Sequence, residues 1–140
     1  MAQTIVDIQE ELIAEFDLFE DWADKYEYLI DLGKKLPAMD EEWKTEENVI
    51  KGCQSRVWLH GEKNGEVVNF QADSDAVIVK GLISMLIRVL SGHSAAEILA
   101  TDLYFIDKIG MSQHLAQTRS NGLLAMVKQM KNYALAFSAQ

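Results

Sequence analysis

One dipeptide constrains the fold of this chain more than any other feature. Asn64-Gly65 separates two alternating runs, Arg56 to Glu62 and Glu66 to Ala72, and Asn-Gly between such runs is a strong signal for a two-residue β-hairpin turn. Val57 and Leu59 fall on one face of the first run, Trp58 and His60 on the other. A lone hairpin is marginal in water, so this one is expected to lie on helices and to gain a third strand from Val49 and Ile50.

Helical periodicity flanks it on both sides. Ile5, Ile8, Leu12 and Phe16 form an apolar stripe, and Thr4 with Asp7 makes a capping box, which predicts a helix over Thr4 to Phe16. Asp21 can cap a second helix running to about Lys35, with Trp22, Tyr26, Leu29, Ile30 and Gly33 on one face, until Pro37 stops it. Ala38 to Asn48 is acidic and aperiodic, a surface loop. Beyond the hairpin, Asp73-Ser74-Asp75 offers caps for a helix over Ala76 to Ser91, with Ile78, Leu82, Met85, Leu86, Val89 and Leu90 inward. Ser94 with Glu97 caps a short helix to Ala100, and a second spans about Asp102 to Ile109, ending at Gly110. Ser112 to Leu115 reads as a single turn. The last helix runs from Thr118 or Arg119 to Phe137, with Leu123, Val127, Met130, Ala134 and Phe137 at four-and-three spacing. The result is an α+β fold in which a small antiparallel sheet of about three strands packs on several helices. At 140 residues it is expected to form one domain, residues 1–140.

Thirteen cationic against 22 anionic side chains give a formal charge of −9, which disfavours nucleic acid and anionic membranes as partners. A protein with a basic docking surface suits it better. No basic start with an apolar core opens the sequence, and no apolar run reaches spanning length, so a cytoplasmic location is expected. His60, His93 and His114 lie far apart, without the spacing of a metal site. The acidic loop lacks the register of a calcium loop, and the glycines match no phosphate-binding pattern. No metal or cofactor is expected.

Cys53, the only cysteine, sits where the chain turns from loop into strand. Gly52 before it frees the backbone for a tight turn. One thiol cannot close an internal disulfide, form a C-x-x-C pair or build a structural zinc site. What remains is single-thiol chemistry or a packing role, free cysteine being among the most buried residue types. Its neighbours Lys51, Gly52, Gln54, Ser55 and Arg56 make a poor apolar wall. A cation about 6 Å away at an effective dielectric of about 20 favours the thiolate by up to about 3 kcal/mol, whereas burial disfavours it.

Gly52-Cys53-Gln54-Ser55-Arg56-Val57-Trp58-Leu59 resembles the signature of the SufE family, sulfur acceptors that partner cysteine desulfurases in iron–sulfur cluster assembly. Three further stretches agree in order and spacing: Leu32-Gly33-Lys34-Lys35-Leu36-Pro37, Ala72-Asp73-Ser74-Asp75-Ala76-Val77-Ile78-Val79-Lys80-Gly81-Leu82, and Thr118-Arg119-Ser120-Asn121-Gly122-Leu123. Where the family usually carries a proline, two residues before the arginine, this chain has Gln117. The resemblance implies a SufE/NifU-like fold and a persulfide carried on Cys53. It implies a pyridoxal-phosphate-dependent cysteine desulfurase as partner, the cofactor staying with that enzyme, and a downstream iron–sulfur scaffold as a possible recipient. It also implies docking roles for Asp73, Asp75, His114 and Arg119, around an active-site loop of Lys51, Gly52, Gln54, Ser55 and Arg56. Whether the chain acts as a monomer or a homodimer stays open. Two rival readings stand beside it: a thiol enzyme with Cys53 as nucleophile and His114 as base acting on an acyl substrate, and an interaction module whose cysteine is structural.

Overall fold

The computed structural model describes residues 4–50, 56–111 and 117–139, with backbone alone for 117–121. Among these residues the order is α1 (Ile5–Phe16), α2 (Trp22–Lys34), two one-turn 3-10 segments (Glu41–Trp43 and Glu46–Asn48), β1 (Val57–Asn64), β2 (Val67–Ser74), α3 (Val77–Leu90), α4 (Ala95–Ala100), α5 (Phe105–Ile109) and α6 (Gln117–Ser138). This is the expected α+β class. The turn at Ser112 to Leu115 lies outside the described residues.

Helix ends follow local chemistry. Thr4 and Asp7 form the reciprocal capping box of α1, and Ser94 and Glu97 that of α4. The Asp21 carboxylate accepts from Asp24 N at 2.9 Å to start α2. Gly110, at φ 88°, closes α5 with a left-handed residue. The start of α5, however, comes at Phe105 rather than Asp102. Gln9, buried on α1, explains the delay: its Oε1 accepts from Tyr104 N at 3.0 Å and Phe105 N at 3.2 Å, while its Nε2 donates to Asp102 O at 3.2 Å. A side chain from α1 thus takes the place of an N-cap.

The hairpin pairs Val57 with Ser74 through to Asn64 with Val67. The turn therefore falls on Gly65-Glu66, one residue later than Asn64-Gly65. Gly65 takes φ 64°, the left-handed value that a primed turn requires at its first central position and that glycine adopts without a Cβ clash. The sheet has two strands among the described residues. Val49 and Ile50 add a single bridge, Val49 to Trp58, with Ile50 N donating to Val57 O at 2.9 Å. Among the described residues the expected third strand amounts to this bridge, which directly follows the 3-10 turn at Glu46–Asn48.

Val57, Leu59, Val68, Phe70 and Ala72 bury one face of the hairpin in the common core. Helix α3 is the centre of that core, with Leu82, Ile83, Met85, Leu86, Val89 and Leu90 all at most 2 % exposed. Helix α2 crosses α3 at backbone contact: a Cβ on Gly81 would stand 2.3 Å from Leu29 O, and one on Gly33 would stand 2.8 Å from Gly81 N. No side chain fits between the helices there. Helix α6 buries Leu123, Met126, Met130 and Ala134, with Val127 and Phe137 packed against the same cluster.

Candidate functional site

Cys53, with Lys51, Gly52, Gln54 and Ser55, lies outside the described residues, as does His114. Arg119 is in the first turn of α6, and only its backbone is described. The structure does describe both anchors of the cysteine segment. On its N-terminal side, Ile50 is buried in the core and hydrogen-bonded to Val57. On its C-terminal side, Arg56 is held at three atoms.

Arg56 N donates to Asp75 Oδ1 at 3.1 Å, Arg56 O accepts from Ser74 Oγ at 2.9 Å, and Asp75 N donates to the same carbonyl at 3.3 Å. The guanidinium meets Glu46 Oε1 at 2.7 Å, so its charge is shared with a carboxylate rather than left wholly for a neighbouring thiolate. The acidic turn Asp73-Ser74-Asp75 does not cap α3. Ala76 occupies the N-cap position without a side-chain cap. Strand register takes Asp73 and Ser74 into the pairing with Trp58 and Val57, so the turn's oxygens face Arg56 and the lysines before the helix begins. Ser74 Oγ also accepts from Ala76 N at 3.2 Å, linking the cysteine segment's exit to the entrance of α3.

Asp73 joins a second part of the chain. Its carboxylate contacts Lys44 Nζ at 3.0 Å and Lys80 Nζ at 3.4 Å. Burial pushes the Asp73 carboxyl up, but the hydrogen bonds from Lys44 and Ser74 N, together with the charges of Lys80 and Lys44, outweigh it and hold the pKa below the usual value. Lys44 also lies 5.7 Å from the Trp58 ring.

The acidic stretch from Asp40 to Asn48 is consequently more than a solvated loop. It lies as a strap over the outer face of the hairpin. Trp43 stacks on His60 with ring centroids 3.6 Å apart and planes at 8°, and His60 Nε2 is 3.1 Å from Glu62 Oε1. Asp40 N donates to Gln71 Oε1 at 3.0 Å and Gln71 Nε2 returns a bond to Asp40 Oδ2 at 3.3 Å. Asn48 Nδ2 donates to Trp43 O at 2.7 Å. While these groups point at the sheet, Glu41, Glu42, Glu46 and Glu47 stay exposed, so the strap presents carboxylates to solvent just before the cysteine segment. Sequence reading missed Trp43, Lys44, Glu46 and His60. The only local signal was an isolated tryptophan in an otherwise polar stretch.

Among the described residues no group of three or more His, Cys, Asp or Glu is arranged to hold a metal ion, and no helix is long and apolar enough to cross a membrane. The geometry defines an α+β domain that pins both ends of a cysteine-bearing segment at the open end of a hairpin. A solution structure of a hypothetical protein from Thermus thermophilus shares this fold at a TM-score of 0.79, with 18 % identity over 95 % of this chain and 97 % of that one. The sequence pattern of the SufE family, an Fe-S metabolism associated domain, matches residues 10–134. Uncharacterised SufE-like proteins of Rhizobium etli and Rhizobium meliloti are 42 % and 39 % identical over 130 residues, 89 % of this chain and 88 % and 93 % of theirs. The chain belongs to the SufE family, and with it to the proteins associated with iron–sulfur metabolism.

Proposed function

We propose that this protein accepts sulfur from a pyridoxal-phosphate-dependent cysteine desulfurase and carries it as a persulfide on Cys53 towards iron–sulfur cluster assembly. The reading rests chiefly on one observation: in a chain of the SufE family, the segment holding the only thiol is tied down on both sides, at Ile50 by Val57 and at Arg56 by Ser74, Asp75 and Glu46. The anchors fix where the segment leaves and rejoins the domain, and thiol exchange depends on access as well as on thiolate fraction.

In this reading the Cys53 thiolate attacks the outer sulfur of the desulfurase persulfide. A new S–S bond forms at Cys53, the partner's S–S bond breaks, and the partner's cysteine leaves as a thiolate. The exchange is balanced without an external oxidant. Removing the sulfur frees the partner for another cycle, so the protein also activates it. Asp73, Asp75, His114 and Arg119 are assigned to the docking surface together with the exposed carboxylates of the strap, whose charge complements a basic partner. The planar guanidinium of Arg119 suits a carboxylate on that partner.

Desulfurase turnover in the presence of the chain and its Cys53→Ser variant tests the proposal. Stimulation by the wild type and none by the variant is expected. Equal stimulation by both would assign the protein to interaction alone, and acyl hydrolysis by the isolated chain that is lost in His114→Ala would favour the thiol enzyme.

A further inference from the structure

A cleft of about 490 Å³ lies on the helical side of the molecule, between α1 and the C-terminal halves of α2 and α3. Its volume is within the roughly 300–1,000 Å³ range of small-ligand sites. Leu32, Leu36, Pro37 and Ile87 supply apolar wall. A second hollow of about 40 Å³ shares Leu36, Pro37 and Ile87 and extends that wall to Phe70 and Ala72 of β2.

The polar part of the lining is Glu15, Tyr28, Lys35, Ser84 and Arg88. Glu15 is already saturated by cationic and hydroxyl donors. Arg88 grips it in fork geometry, Nη2 to Oε2 at 2.5 Å and Nη1 to Oε1 at 3.1 Å, and the Tyr28 hydroxyl donates to Oε1. Arg88 also reaches Glu11 at 3.0 Å. These bonds use three of the five guanidinium N–H groups. Lys35 stands at the exposed rim, close enough that its charge helps lower the Glu15 pKa, after the hydrogen bonds of Arg88 and Tyr28 and the charge of Arg88. The cleft therefore combines an apolar wall with an exposed Lys35 and with an Arg88 whose charge is shared between Glu15 and Glu11 but which has two N–H groups beyond these three bonds, in a chain whose net charge is −9.

We propose that this cleft is a binding site for a small amphiphilic carboxylate, with the aliphatic part against Leu32, Leu36, Pro37 and Ile87 and the carboxylate directed to Lys35, Arg88 and the Ser84 hydroxyl. A neutral ligand would offer Lys35 no counter-charge and an amine would meet its like charge at the rim, whereas Arg88 keeps Glu15 and Glu11 in either case. Affinity is modest, because the surrounding negative field opposes an anion and a small ligand has few atoms with which to bind.

Hexanoate, 1-hexanol and hexylammonium titrated into the isotopically labelled full chain, followed by amide chemical shifts, test the site without any desulfurase, so the outcome is independent of the sulfur-transfer reading. Saturable shifts at Leu32, Lys35 and Ile87 are expected with hexanoate at a Kd of about 1 mM, the scale that ligand efficiency allows for so small a molecule. Hexanol should bind more weakly and hexylammonium not at all. Lys35→Glu, at an exposed position and with its fold checked by the amide spectrum, should weaken hexanoate about fivefold or more and leave hexanol unchanged. The proposal is overturned if hexanoate gives no saturable shift by about 20 mM, well above the affinity expected from its size. Equal binding of all three probes, shifts centred away from the cleft, or hexanoate binding indifferent to Lys35→Glu would overturn it equally.

Discussion

Substituting alanine at Gly81 tests the packing that places the cysteine segment's exit. An added Cβ would lie 2.3 Å from Leu29 O, 2.8 Å from Leu29 Cγ and 3.0 Å from Leu29 C. Two of these three atoms belong to the α2 backbone, which cannot rotate aside as a side chain does. Relief requires α2 and α3 to separate by about 1 Å along their crossing, a strain at or above the upper end of the roughly 1–3 kcal/mol typical of overpacked cores. Higher helix propensity returns about 1 kcal/mol to the alanine. The expected net loss is about 2 kcal/mol, equivalent to a fall in Tm of about 7 °C for a chain of this length. Urea unfolding followed by circular dichroism should show a lower midpoint with an unchanged slope. Gly33→Ala should act through the same crossing, since its Cβ would meet Gly81 N at 2.8 Å, and the double variant should cost less than the sum because one displacement relieves both contacts. A Gly81→Ala protein as stable as the wild type, or more so, would refute the argument that the two helices meet backbone to backbone.

Three further outcomes follow from the polar interior. Gln9→Leu should strand two N–H groups and one carbonyl at the start of α5, lowering stability by about 3 kcal/mol and speeding hydrogen exchange at Phe105; unchanged exchange would show that Gln9 does not cap that helix. The second concerns pH. The Arg88 hydrogen bond is the main cause of the lowered Glu15 pKa, opposed by burial and aided by the Tyr28 hydroxyl and the charges of Arg88 and Lys35, so the ionised carboxylate is favoured by folding. Its contribution is fully present above the unfolded value near 4.5 and is lost as pH falls through the lower folded value. Arg88→Gln should therefore bring the acid-unfolding midpoint to a higher pH, and a midpoint that stays fixed would contradict the assignment. Tyr28 belongs to the same cluster, its pKa raised to about 12 by burial and then by its bond to Glu15, so Tyr28→Phe should reduce the amplitude of tyrosine ionisation at the alkaline end of an absorbance titration, and an unchanged amplitude there would contradict the assignment.

Much of this structure was legible because the signals were local. The stripe of α1, the box at Ser94 and Glu97, the stop at Pro37 and the periodicity of α6 each depend on residues a few positions apart. What escaped depended on partners far away in sequence. Gln9 interrupts the apolar stripe of α1 for a reason found 95 residues later, at Tyr104. Asp73, Ser74 and Asp75 have the composition of a helix cap, yet the strand continues through Ser74 and commits their oxygens to Arg56, Lys44 and Lys80. The stacking of Trp43 on His60 joins an acidic stretch to a strand with which it shares no pattern. For the site, the cysteine signature and the acidic turn were both visible as motifs. That the acidic turn lies close to the cysteine segment is implied by the family resemblance; the atoms by which they meet at Arg56 are not, because they depend on hairpin register, and the Gly65-Glu66 turn sets that register one residue later than Asn64-Gly65 would.

The central claim is that Cys53 receives sulfur from another protein and holds it. Intact-mass spectrometry of the chain after incubation with a cysteine desulfurase, cysteine and pyridoxal phosphate reads this directly. The account predicts an added mass of about 32 Da, the size of one sulfur atom in a persulfide, which maps to Cys53, disappears on reduction and is missing in Cys53→Ser. A wild-type chain that stays at its original mass while the desulfurase turns over would contradict it.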